Sequence, residues 1–132
     1  MKSLPDLSGI TVLVIDDNED ALYVLETLLK ACGATVLAAR NAFAALGYLE
    51  TSRVDLLISD LSMPQMDGVE FIERVRKSPH HRETPAIALS AFPESYQHAV
   101  AVGFNRFMQK PIDIDTLCAA VFELVRKRDG DA

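Results

Sequence analysis

Short apolar runs recur along the chain, separated by stretches whose apolar residues return at helical spacing. The clearest runs are Thr11-Val12-Leu13-Val14-Ile15, Asp55-Leu56-Leu57-Ile58-Ser59 and Pro85-Ala86-Ile87-Ala88-Leu89. Arg106-Phe107-Met108-Gln109 is weaker, and Ala34-Thr35-Val36-Leu37-Ala38 is a further candidate. Runs apolar at nearly every position predict strands buried on both faces of a parallel sheet. Between them, Glu19 to Ala31 repeats Leu22, Leu25, Leu28 and Leu29 and stops at Cys32-Gly33. Asn41 can cap a helix through Leu49, and Gly68 to Lys77 places Val69, Ile72 and Val75 on one side. Pro93 suits a first helical position before Tyr96 to Val102 and a stop at Gly103. Asp113 or Asp115 can cap a last helix that turns Leu117, Val121, Leu124 and Val125 inward.

Strand and helix therefore alternate throughout, which predicts an α/β, doubly wound parallel sheet with helices on both faces. In such sheets ligands bind outside the carboxyl ends of the strands, near the point where strand order reverses. Polar residues should collect there if a site exists, and they do. Asp16-Asp17 follow the first run, Asp60 the third, Ser90-Ala91 the fourth and Lys110-Pro111 the fifth. A flavodoxin-like five-stranded sheet, a three-layer (βα)5 sandwich of order 2-1-3-4-5, would gather these ends.

Composition narrows the class. The chain has 132 residues, of which 49% are hydrophobic and 24% charged, enough for one domain with a sizeable core. A formal net charge of -6 disfavours contact with nucleic-acid backbones. The basic run Arg126-Lys127-Arg128 falls where it complements the dipole of the last helix. Cys32 and Cys118 are far apart and lack CxxC spacing, so reduced, packed thiols are expected. The start carries no apolar signal-peptide core, and no run is long enough to span a bilayer. A cytoplasmic setting is the expectation, with neither membrane nor nucleic acid as a partner.

The acids carry the chemistry. Two like charges about 4 Å apart repel by roughly 4 kcal/mol at an effective dielectric near 20. Asp16, Asp17 and Asp60 in one pocket therefore need a cation, or one of them must stay protonated. Oxygen ligands alone suit Mg²⁺ (or Mn²⁺), and no His or Cys stands at zinc spacing. Taken singly, Asp16 and Asp17 also read as helix-start acids, and Lys110 as an exposed lysine. Asp60 ends an otherwise apolar run, and as a nucleophile it would form an acyl phosphate with a phosphoryl donor. Lys110 supplies a compact positive charge, and Ser90 a hydroxyl able to turn toward a phosphoryl oxygen.

The set Asp16-Asp17, Asp60 with Met63-Pro64 and Asp67-Gly68 behind it, Ser90-Ala91 and Lys110-Pro111 resembles the receiver (response-regulator) domain family, from about Gly9 to Lys127. The resemblance implies a two-component phosphorelay module, with Asp60 as phosphoacceptor. Asp16, Asp17, Asp60 and the backbone carbonyl of Ser62 would hold Mg²⁺, Ser90 would be the switch hydroxyl and Lys110 the charge sensor. Phe107 matches the family's switch aromatic, often Tyr, though core packing explains a Phe there equally well. It further implies a histidine kinase or histidine phosphotransfer protein as donor and a downstream protein target met by the face of the fourth helix, fifth strand and fifth helix. The protein would be a monomer or weak homodimer. Its own chemistry would be limited to Mg²⁺-dependent self-phosphorylation and self-dephosphorylation. Phe92 replaces a polar residue of many relatives and is expected to slow phosphoryl loss.

The organisation expected is an N-terminal extension 1-8, a receiver domain 9-128 and a tail 129-132. No output pattern follows residue 128, so a stand-alone receiver and one excised from a hybrid sensor kinase both stay open. Leu7 to Val14 and Ala86 to Ala91 are similar to receivers of such kinases. Two other readings compete. A haloacid-dehalogenase-type phosphatase would need a second Asp where Ser62 stands. A degenerate receiver, acting only as a binding module, usually lacks one of the acids or the Lys. A flavodoxin-type cofactor protein is disfavoured, since the first run leads into acids and not a phosphate-binding loop.

Overall fold

The computed structural model describes residues 4–130. In chain order the elements are β1 Thr11–Ile15, α1 Glu19–Ala31, β2 Thr35–Ala39, α2 Ala42–Thr51, β3 Leu56–Asp60, α3 Gly68–Lys77, β4 Ala86–Ser90, α4 Tyr96–Val102, β5 Arg106–Gln109 and α5 Ile114–Gly130. The strands form one parallel sheet in the order β2-β1-β3-β4-β5. The doubly wound α/β sandwich expected from the alternation is the fold observed.

Three strands sit one residue later than the apolar runs suggest, at Thr35, Leu56 and Ala86. The shift places Asp60 and Ser90 inside their strands as last residues. Ladder hydrogen bonds, not side-chain polarity, decide where a strand ends, so a polar residue at a buried end still counts as strand.

Period-two alternation sends each strand's residues to two cores. Val12, Val14, Leu56, Ile58, Ile87 and Leu89 face α1 and α5, where Leu22, Leu29, Leu117 and Val121 meet them. Leu13, Ile15, Leu57, Ala86 and Ala88 face α2, α3 and α4, where Ala45, Phe71, Ile72 and Ala99 fill the layer. Full burial of a side chain such as Phe71 contributes on the order of 2 kcal/mol.

Local signals account for the helix ends. The side chains of Asn18, Asn41 and Asp67 accept the N–H groups of Ala21, Ala44 and Glu70. Asp113, not Asp115, caps α5, accepting from the Thr116 N–H at 3.1 Å. Pro93 opens a short 3-10 turn, Pro93–Ser95, that leads into α4. Gly33, at φ +98°, lets the chain leave α1 in a left-handed conformation that only glycine adopts freely.

Packing also reaches back before Gly9. Leu7 is fully buried in the α1–α5 core, and its N–H donates to the Cys32 carbonyl at 2.8 Å. Of the expected extension and tail, residues 1–3 and 131–132 lie outside those described.

Candidate functional site

The order β2-β1-β3-β4-β5 places β1, β3 and β4 side by side, so their carboxyl ends form one rim. Ile15 registers with Ser59, Asp60 with Leu89 and Ser90 with Gln109. Asp16 just past β1, Asp60 ending β3, Ser90 ending β4 and Lys110 just past β5 thus converge. Oxygens of Asp16, Asp17 and Asp60 all lie within 4.8 Å of one another. Asp16 and Asp60 are 1% and 6% exposed, so their charges have little water to screen them, while Asp17 stands at the open side.

Lys110 reaches into this cluster. Its Nζ lies 3.3 Å from Asp60 Oδ2 and donates to Asp16 Oδ2 at 3.5 Å. Burial holds the Asp60 carboxyl above its ordinary range; the Asp16 charge adds to the rise, while Lys110 and the Ser62 N–H oppose it. Burial pulls the Lys110 ammonium down, but the charges of Asp60 and Asp16 outweigh it and leave Lys110 above its ordinary value. Two further backbone donors satisfy carboxylate oxygens: Asn18 N–H to Asp16 Oδ1 at 2.9 Å and Ser62 N–H to Asp60 Oδ1 at 3.2 Å.

The neighbouring loops set these positions. After Asp60 the chain buries Leu61, Met63 and Met66 in the α2–α3 core, leaving Ser62, Pro64 and Gln65 outside. Gly68 then packs against the strand end. A Cβ there would lie 2.5 Å from the Asp60 carbonyl oxygen and 2.8 Å from Leu61 Cα. On the other side the Lys110 N–H donates to the Ser90 carbonyl at 2.8 Å, and the Lys110–Pro111 peptide is cis.

Ser90 is buried at the rim, and its Oγ is held by its own turn: it accepts the Phe92 N–H at 3.0 Å. The Phe92 side chain itself is exposed. Phe107 is half-buried on the edge strand and meets Tyr96 of α4 edge-on, with ring centroids 5.6 Å apart. Tyr96 was not singled out from sequence. Its position three residues after Pro93 placed it only in a helix, and nothing in the local pattern paired it with β5.

The arrangement brings together every residue singled out at the strand ends. Its donor set at the acids is oxygen only, three carboxylates against one ammonium, which fits a hard divalent cation. Ser62 contributes its N–H to Asp60, and its carbonyl belongs to the same turn.

Comparison with known proteins agrees with this geometry. A family model described as the response regulator receiver domain matches residues 12–122. A 14.6 kDa protein of Leptolyngbya boryana is 44% identical over 109 residues, which cover 81% of this chain and 83% of that protein. The sensor histidine kinase GacS of Pseudomonas protegens is 34% identical over 117 residues, 85% of this chain but 13% of the kinase. Among solved structures, the chemotaxis response regulator CheY4 of Vibrio cholerae superposes with a TM-score of 0.81 at 31% identity, covering 87% of this chain and 98% of CheY4. The chain thus spans most of some relatives and a small part of others. A rim of acids, hydroxyl and lysine on a 2-1-3-4-5 sheet and a family match across nearly the whole chain lead to one assignment: this chain belongs to the response regulator receiver domain family.

Proposed function

We propose that Asp60 is the phosphoacceptor of this receiver and that a phosphohistidine of a histidine kinase or phosphotransfer protein is the donor. The observation that carries the reading is the placement of Asp60 beside charges of both signs, Lys110 at 3.3 Å and the Asp16–Asp17 pair within 4.8 Å. An Asp60 oxygen attacks phosphorus, an O–P bond forms, and the N–P bond to the donor imidazole breaks. Lys110 draws charge from the transferring group and pairs with it afterwards. Asp16, Asp17, Asp60 and the Ser62 carbonyl would hold Mg²⁺, or Mn²⁺. Such an ion supplies neutralisation of the three carboxylates and of the phosphoryl charge.

The same residues account for a switch. Phosphorylation adds close to two negative charges and new acceptor oxygens at the rim. Ser90 Oγ leaves the Phe92 N–H and turns to a phosphoryl oxygen, and Lys110 follows. Phe107, carrying no hydroxyl, reports by moving inward, and its edge contact with Tyr96 passes the change to α4. This is a population shift between two packings of the α4-β5-α5 face, read by a downstream protein. The 34% identity to a part of GacS supports a kinase-linked setting, stand-alone or within a longer protein.

Acetyl phosphate labelling tests the assignment. Wild-type protein should gain an acid-stable, hydroxylamine-labile phosphoryl group in Mg²⁺, and Asp60→Asn should gain none. Label retained at the same site in Asp60→Asn would overturn it. A second measurement concerns Phe92: if its ring shields the acyl phosphate from water, Phe92→Glu shortens the phosphoryl half-life. Equal half-lives reject shielding.

A further inference from the structure

The two cysteines, 86 positions apart, meet in the fold. Cys32 Sγ and Cys118 Sγ lie 3.3 Å from each other across the seam between the end of α1 and the first turns of α5. Both are free and buried, Cys32 at 7% exposure and Cys118 at none. Their surroundings are apolar: Leu7, Leu29, Leu117 and Val121 belong to the same core. Two sulfurs in contact on separate helices need to close by little more than 1 Å to reach the roughly 2.05 Å of an S–S bond. Side-chain rotation and slight helix movement supply shifts of that size.

We propose that Cys32 and Cys118 form an intramolecular disulfide on exposure to a peroxide, making the α1–α5 seam a covalent modification site distinct from the acid rim. Cys32, the more exposed residue, is the one reached first. It attacks a peroxide oxygen, the O–O bond breaks, and water leaves behind a sulfenic acid. The Cys118 sulfur then attacks the Cys32 sulfur; the S–S bond forms, the S–O bond breaks, and the Cys118 proton leaves with the second water. One peroxide is reduced by two electrons and two thiols are oxidised. Burial, contact with Cys32 and the Asp115 charge push the Cys118 thiol up to about 12, which keeps it protonated at rest and leaves the first attack to Cys32; its own attack waits until its proton can pass to the departing hydroxyl. The burial makes the reaction slow, gated by opening of the seam, and shields the bond once made.

The bond would join two helices that flank the rim. α1 starts after Asp16-Asp17 and α5 follows Lys110-Pro111, so the bond would tie the far end of one helix to the first turns of the other. Closing so long a loop also restricts the unfolded chain.

The test uses the full chain and hydrogen peroxide, with intact mass and thiol titration in denaturant as readouts. Neither depends on phosphoryl transfer, so failure here leaves the receiver reading untouched. The expected result is monomer lighter by two hydrogens, no titratable thiol, a Cys32–Cys118 linked peptide, and a Tm raised by on the order of 10 °C that dithiothreitol reverses. In Cys118→Ala the reaction should halt at a sulfenic acid on Cys32 that dimedone traps. Wild-type protein that keeps both thiols titratable, gains oxygen without losing hydrogens, or links only between chains would overturn the proposal.

Discussion

Asp60 shows how a single residue can weaken a fold for the sake of a site. It ends a strand buried along its whole length, with Asp16 as a near neighbour and one lysine to offset both. Its ionised form is the costly one, since burial and Asp16 outweigh Lys110. At neutral pH in a chelator, Asp60→Asn should therefore stabilise the fold. Urea unfolding in EDTA reads this directly, and a destabilised Asn variant would show that Lys110 already compensates the cluster. Added Mg²⁺ should narrow the difference by stabilising wild type more than the variant, because a ligand that binds only the folded form raises its stability.

At the scale of elements, the link between β3 and α3 decides where Asp60 points. Met63 and Met66 anchor the loop in the core, and Gly68 lets the start of α3 lie against the Asp60 carbonyl. Gly68→Ala would thrust a Cβ into backbone that cannot rotate away, so strand and helix must part. A loss of about 2 kcal/mol or more is expected in urea unfolding, with slower acetyl phosphate labelling. Unchanged stability and labelling would mean the loop has slack. At the opposite end, Arg76 of α3 ties two connections together, the α3–β4 and the α4–β5 links. Its guanidinium donates to the carbonyls of Gly103, His81, Arg82 and Thr84 and to Asn105 Oδ1. One edge of the sheet is thus pinned, while the other carries the side chains proposed to move.

Across the whole molecule, the proposed switch joins the rim to an outer face through Ser90, Phe107 and Tyr96. Lys110→Ala should still take phosphate from acetyl phosphate but uncouple the response. NMR shifts induced by beryllofluoride should then persist near residue 60 and fade near residues 96 and 107. Full shifts at 96 and 107 in that variant would remove Lys110 from the coupling. Coupling of this kind requires an element with two packings, and Phe107, half-buried on an edge strand against Tyr96, is the residue proposed to supply them.

Local order was legible in the chain because it depends on near neighbours. Apolar runs marked all five strands, caps such as Asn41 and stops such as Gly33 marked helix ends, and the acids, Ser90 and Lys110 could be placed at one rim by topology alone. What sequence could not decide depends on distances between remote segments. Strand ends shifted by one residue because ladder bonds come from neighbouring strands. Leu7 joined the core, Tyr96 met Phe107 and Cys32 met Cys118 because α1, α4, α5 and the sheet pack as they do. Periodicity says which side of an element is apolar. Only the packed molecule says which two apolar sides, and which two sulfurs, touch.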